Sequence, residues 1–268
     1  MKEGDYPLGG WFYFRWWLVN SIQRIIPTQF MNGTPIYPVY LRMMGVKVAR
    51  NAQLSAISIG AEDLVSIGED VSISSQVILN NAYVEDGFLK LRKITIKDHA
   101  YIGSSAIFEG DTTIEQWGEL QDLSLLQNGN CIGKGEVWKG SPAQFVETKQ
   151  PEALPQPLNI AKFTIRRFEL YFSLLLIIFP LSVLVPLFPL LLILNRLDNN
   201  AAAYDFSYLV YTPVLATVYI GLFVSETILL SRILLYKIKP GKYSVYSSTY
   251  VRKWLSDQLI SMSLIVVH

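Results

Sequence analysis

The sequence of 268 residues predicts a β plus membrane-α chain: a parallel β-helix of hexapeptide repeats, then a two-helix transmembrane hairpin, with aromatic interfacial helices. Three observations predict it. Apolar residues recur every six places between residues 33 and 147, two long runs between 168 and 236 are almost free of charge, and aromatic stretches stand near both ends. Composition agrees, with 51% hydrophobic against 17% charged residues and a mean hydropathy of +0.29, too apolar for a disordered chain or an ordinary soluble domain. Lys and Arg number 23 against 22 Asp and Glu, so no basic excess points to nucleic acid. One cysteine, Cys131, excludes an internal disulfide, and with only His99 and His268 as histidines no metal site is expected.

Residues 1–32 form the first element. Its aromatic stretch, Trp11 to Ile26, is interrupted by Arg15 and Arg24. Trp and Tyr favour the headgroup level, so the stretch reads as a helix lying in the membrane interface rather than crossing it. A helix packed on the folded part is the alternative. The same late start and the same Arg15 argue against a cleavable signal peptide.

Residues 33–147 carry the repeat. Ile96, Ile102, Phe108, Ile114, Leu120, Leu126, Ile132 and Trp138 follow one another at intervals of six, as do Ile67, Ile73 and Leu79, and Val48 and Leu54. A helix repeats at 3.6 and a strand at 2, so a strict six fits neither. It fits a β-helix in which three hexads complete one triangular coil and each coil covers the apolar face of the next. The recurring aliphatic residue is expected at the axis. The small residue four places on, as at Ala100, Ala106, Thr112, Gly118 and Ser124, is expected at a tight corner. Between Leu79 and Ile96 the register breaks, because their separation falls one short of a full coil of three hexads. Asn80 to Lys93 is therefore expected to project as a loop, the first place to look for a site on an otherwise smooth prism.

A linker, 148–167, leads to the hairpin, 168–236. Leu170 to Leu194 holds no charged residue and Phe206 to Ser225 none either, each long enough to cross a bilayer. Pro180, Pro186, Pro189 and Pro213 are expected to kink these helices. Lys162, Arg166 and Arg167 precede the first run, and Arg232, Lys237, Lys239 and Lys242 follow the second. The turn, Asn195 to Asp205, sets Arg196 against Asp198 and Asp205. By the positive-inside tendency the β-helix faces the cytoplasm of a multi-pass inner-membrane protein and the turn faces outside. Glu226, shortly before Arg232, reads as a helix-end charge.

The last element, 237–268, repeats the first. Gly4, Tyr6, Tyr13, Arg15, Trp17 and Leu18 recur as Gly241, Tyr243, Tyr250, Arg252, Trp254 and Leu255, all at one constant spacing along the chain. The tail reads as the opening of a second copy, and independent convergence of two interfacial helices is the other explanation.

Several motifs resemble hexapeptide acyltransferases: Gly33 to Ile36, Tyr40 to Gly45, Asp63 to Gly68, Val84 to Gly87, Ile102 to Ser104, and the closing Gly140-Ser141-Pro142-Ala143. With the hairpin, the set resembles the tandem C-terminal membrane domains of ε-poly-lysine synthetase-like nonribosomal peptide synthetases, over nearly the whole chain. The resemblance implies a left-handed coil, sister repeats arranged as a pseudo-trimer (a homotrimer if the repeat acts alone), and sites shared between prisms. It implies an amine acceptor attacking an aminoacyl thioester on the phosphopantetheine arm of a carrier domain, or CoA as the acyl donor. Related repeats often carry a His in the projecting loop and an Arg after the Glu-Asp pair. Here Ala82 and Gly87 hold those places, while Glu85 and Asp86 match.

Amide formation needs a base for the amine and a donor for the oxyanion. Glu85 and Asp86 are candidates for holding an ammonium or sharing its proton, and a solvated acidic pair is the ordinary alternative. His99 is the only histidine among the hexads and therefore a candidate base, expected near a corner and facing outward. Gly140, Ser141, Pro142 and Ala143 are candidates for lining a pantetheine channel, although closing the last coil explains them equally well. Three functions follow: an amide-forming module of a membrane synthetase, a stand-alone CoA-dependent acetyltransferase of a membrane-proximal acceptor, or a non-catalytic scaffold and anchor.

Overall fold

The computed structural model describes residues 1–23, 25–26, 28–149, 162–198, 211–241 and 243–267, in two compact units, Met1–Ala161 and Lys162–His268. Most of the linker assigned to 148–167, most of the turn Asn195 to Asp205, and His268 lie outside the described residues.

The first unit is a triangular prism of three parallel walls. One wall stacks Lys47–Val48, Val65–Ile67, Ile94–Ile96, Thr112–Ile114 and Cys131–Ile132. The second stacks Gln53–Leu54, Ser72–Ile73, Tyr101–Ile102, Glu119–Leu120 and Glu136–Lys139, and the third Ile57–Ile59, Val77–Asn80, Ile107–Glu109 and Leu125–Leu126. The chain visits the walls in turn, so Ile96, Ile114 and Ile132, each three hexads after the last, lie directly above one another. Ile102, Phe108, Ile114, Leu120, Leu126 and Ile132 are all fully buried, as the period of six requires.

The small residues do not sit at the corners. Ala100, Ala106, Thr112 and Ser124 are buried beside the aliphatic column. The corner is the residue before: His99, Ser105, Asp111, Trp117 and Leu123 have φ between 54° and 64°, and Gly129 and Gly135 continue the series. A left-handed backbone at each corner turns the chain, and the next side chain then points inward, where three converging walls leave room only for a small group.

Helix α1, Trp11–Gln23, and helix α2, Ile36–Met43, are built on this prism. Tyr37 and Leu41 of α2 enter the main core, so this helix closes the open end of the first coil. On α1, Phe12, Tyr13 and Trp16 pack on a smaller core of Ala61, Leu64, Leu89 and Leu91. Its opposite face leaves Trp11, Phe14, Trp17, Leu18 and Ile22 exposed. The helix thus has an inner contact with the fold and an outer apolar stripe.

The second unit contains α3, Lys162–Leu181, α4, Leu187–Asp198, α5, Thr212–Leu234, and α6, Ser248–Val267. Two helical stretches, Phe163–Arg196 and Thr212–Leu234, are long and apolar enough to cross a membrane, with apolar windows of mean hydropathy 2.7 and 1.8. The first stretch breaks at a 3-10 turn, Ser182–Leu184, just before Pro186, whose ring and missing N–H prevent a regular turn there. Pro180 stands in the last turn of α3, directly before this break. Pro189 and Pro213 are placed where a proline does not require a kink. They stand in the first turns of α4 and α5, where no intrahelical N–H bond is lost. Asn195 to Asp198, expected to open the turn, still belong to α4.

The internal repeat has a local structural counterpart. Helices α1 and α6 begin at Trp11 and Ser248, the same interval that separates the repeated residues. Tyr6 donates its hydroxyl to Lys2 O at 3.0 Å, and Tyr243 donates to Lys239 O at 2.7 Å. Environments differ, since Trp254 is buried against Phe172 whereas Trp17 is exposed.

Candidate active site

The projecting loop is a β-hairpin. Ala82–Glu85 pairs antiparallel with Phe88–Leu91, and Asp86 and Gly87 turn between them at φ 53° and 80°. Two consecutive positive φ angles in an Asp-Gly pair mark the tight turn whose twist suits a hairpin. Leu79 and Ile96 lie on successive walls, a step that takes a single hexad elsewhere in the prism. The break is therefore an insertion at one corner, not a coil missing one residue. The hairpin does not stand alone, because the N-terminal strand Gly4–Pro7 adds to its outer edge in antiparallel register.

Cations hold this edge. Lys90 Nζ lies 2.6 Å from Glu85 and 3.5 Å from Asp86 at the hairpin tip, and its pKa is raised, chiefly by the hydrogen bond to Glu85. Arg92 reaches Asp5 at 2.7 Å and Asp111 at 3.5 Å, tying the strand and the next coil to the hairpin base. Asn81 is buried with no exposed surface. Its amide donates to Ala61 O at 2.8 Å, and its oxygen accepts from Ala61 N–H at 2.9 Å.

His99 occupies a corner, with a left-handed backbone at φ 61°. Its ring stacks on Trp117 at 4.2 Å, and Nδ1 lies 3.8 Å from Asp70, so three corner residues form a column down one edge. Gly140 to Ala143 stand at another corner of the last coil. Gly140 N–H donates to Ser124 Oγ at 3.0 Å, Ala143 N–H donates to Leu125 O at 2.8 Å, and Ala143 enters the core. The hairpin, His99 and the Gly-Ser-Pro-Ala segment thus belong to three different corners. Within one prism they do not converge.

Sequence reasoning missed a cavity of about 400 Å³ between α1, α2 and the third wall. Trp16, Tyr37, Tyr40 and Ala82 are among its walls, with Asn20, Gln23 and Glu62 as polar groups. Glu62, in a short 3-10 turn, is only 7% exposed. Burial raises its pKa, and a hydrogen bond from Gln23 opposes part of that rise. Ala82, in the first strand of the hairpin, lines this cavity. Glu85 lies three residues further along the strand, about 10 Å away at the tip.

No protein-family model matches the chain. The chain is 32% identical to the δ-poly-L-ornithine synthetase of Acinetobacter baumannii over 99% of its own length, and it spans about a fifth (21%) of that protein. An uncharacterised protein of Dictyostelium discoideum is 29% identical over 41% of the chain and 50% of its own length. Among solved structures, a maltose O-acetyltransferase from Clostridium difficile 630 covers 55% of this chain and 94% of its own, with 14% identity and a TM-score of 0.42. A point mutant of AntD, an N-acyltransferase from Bacillus cereus, solved with dTDP and coenzyme A, covers 42% and 90%, with 16% identity and a TM-score of 0.32.

Proposed function

We propose that this chain is an amide-forming acyltransferase module of a membrane-bound poly-amino-acid synthetase. The observation that carries the reading is the alignment with the poly-ornithine synthetase, which takes in the prism, the hairpin and the apolar helices together. In this reading the coil is left-handed, the apolar stripe of α1 lies in the membrane interface, and the two long apolar helices anchor the prism on the cytoplasmic face of the inner membrane.

The reaction joins an amine nitrogen to the carbonyl carbon of an aminoacyl thioester on a carrier's phosphopantetheine, or on CoA. The C–S bond breaks and the thiolate leaves; the acceptor, arriving as an ammonium, gives up one proton before it attacks and a second as the amide forms, and the departing thiolate takes up the second. Glu85 and Asp86 offer carboxylates to the incoming ammonium, which exchanges with Lys90 for them. His99 takes the proton lost before attack, and Gly140 to Ala143 line the pantetheine channel through backbone groups. These groups stand on separate corners, so a working site needs a second prism. Sister repeats of the same chain would supply it in a pseudo-trimer.

A second reading is favoured by Ala82 and Gly87, which replace the His and Arg of the resembling repeats, and by Lys90, which already neutralises Glu85. In that reading the repeat is a non-catalytic scaffold and anchor, and its hairpin takes no part in the chemistry. One experiment separates the two. Replacing Glu85 and Asp86 by Ala in the full-length synthetase should depress polymer formation at least tenfold, with adenylation and carrier loading unchanged. Undiminished polymer output would remove the hairpin from the chemistry and leave a scaffold and anchor.

A further inference from the structure

The cavity beneath α1 combines features that the acyl-transfer reading does not use. Its one charged lining group among the described residues is the Glu62 carboxyl, only 7% exposed, and no Lys, Arg or His among them lines it. A carboxylate taken from water without a counter-charge is costly, so such a group at neutral pH holds either a proton or a cation. The walls favour a cation. Tyr37 and Tyr40, both lining the cavity, stand with near-parallel rings 6.3 Å apart. Trp16 closes a further side, fixed by its indole N–H donating to Gly60 O at 3.0 Å. Asn20 has its amide nitrogen engaged with Trp16 O at 3.0 Å, which leaves its oxygen as an acceptor. Ring faces attract a positive charge, and an ammonium has three N–H groups to distribute between a carboxylate and amide oxygens. Leu41, Met44 and Ile59 add apolar lining suited to methylenes.

We propose that this cavity binds a primary alkylammonium, with Glu62 as its counter-ion, Tyr37, Tyr40 and Trp16 as aromatic walls, and its hydrocarbon stem along Leu41 and Ile59. The site goes beyond the acyl-transfer reading, which seats its acceptor amine at Glu85 and Asp86, and the binding does not rest on that reading. A volume of about 400 Å³ accommodates a chain of several methylenes. Ala82 borders the same space, and a Cβ built on Gly60 would come within 2.8 Å of the Ala82 Cβ. A longer side chain at residue 82 is therefore expected to narrow this space.

A primary ammonium can come from a soluble amine or from the headgroup of an aminophospholipid, and α1 carries an outward apolar stripe. The test therefore has separate arms. The full chain, purified in detergent, is titrated calorimetrically with n-butylammonium chloride, with phosphoethanolamine, and with 1-butanol. Saturable binding of n-butylammonium is expected, with none for 1-butanol. Glu62→Gln should weaken it at least tenfold, and Ala82→Leu, which leaves the carboxylate in place, should weaken it similarly by filling space. Tighter binding of n-butylammonium than of phosphoethanolamine assigns the site to a soluble amine, and the reverse order assigns it to a headgroup. Equal affinity in the parent and a folded Glu62→Gln variant, or no saturable binding by either ammonium, overturns the proposal. That failure would leave the polymer assay of the hairpin carboxylates unaffected. A failed polymer assay with intact binding would instead sink the role of the hairpin and keep the site.

Discussion

At the residue scale, Glu62 couples the stability of the prism unit to pH. Its raised pKa comes first from burial and is increased by the neighbouring Asp63 charge, while Gln23 opposes it by donating a hydrogen bond. Because the folded state holds the proton more tightly than the unfolded chain, the carboxyl contributes stability in full below the ordinary carboxylate pKa of about 4.3. That contribution is lost as the pH rises through the folded value. Glu62→Gln removes the titration and keeps an oxygen facing Gln23. The variant should therefore unfold at a higher temperature than the parent at pH 7.5, and the two should converge near pH 4, followed by tryptophan fluorescence of the detergent-solubilised chain. A constant offset across that range would show that Glu62 bears no burial penalty. Little of this was legible in the sequence. Glu62 lies outside the hexad columns, and its burial comes from α1 and α2, helices that stand well before it in the chain. The axis residues were legible for the opposite reason: Ile102 and Ile114 repeat an environment that every coil recreates three hexads on.

At the scale of elements, the hairpin and the coils differ in what holds them. A regular coil rests on its neighbours above and below, so its sequence shows the period. The hairpin has no coil above it and rests on specific partners: the N-terminal strand, the Arg92 ion pairs, and the two hydrogen bonds between Asn81 and Ala61. Such partners carry no periodicity. The Asp-Gly turn was visible in the sequence, but nothing local showed that Gly4 to Pro7 would return to pair with Phe88 to Leu91. Asn81 tests this arrangement. Asn81→Ala leaves the Ala61 N–H without its partner in a buried place, at about 1–3 kcal/mol, while the Ala61 carbonyl keeps the Leu64 N–H at 3.3 Å. The adjacent Asn80, whose side chain is exposed, should cost no more than about 0.5 kcal/mol on the same change. Urea unfolding of the two variants compares them directly, and similar midpoints would mean that the hairpin is held elsewhere.

For the whole molecule, the decisive quantity is the side of the membrane on which the prism works. A carrier-bound aminoacyl thioester is made where ATP is available, so the proposed reaction requires the prism unit to face the cytoplasm. The charges support that orientation: Arg166 and Arg167 stand near the start of α3, and Arg232 and Lys237 flank the end of α5. Positive residues are retained on the cytoplasmic side, and two spans return the chain to the side from which it started. Labelling can decide it in intact cells. Cys131, the exposed native thiol, is first changed to Ser so that it does not report from the prism itself. A single cysteine is then introduced at Asn51, a corner of the first coil, or at Asn199, in the segment between the two apolar stretches. A maleimide that cannot cross membranes should modify Asn199→Cys and leave Asn51→Cys unlabelled until the cells are opened. The reverse pattern would place the prism away from ATP-dependent carriers, and the amide-forming reading would fall with the topology. Labelling of both in intact cells would mean that the apolar stretches do not form a membrane hairpin at all, and the anchor would then have to be α1.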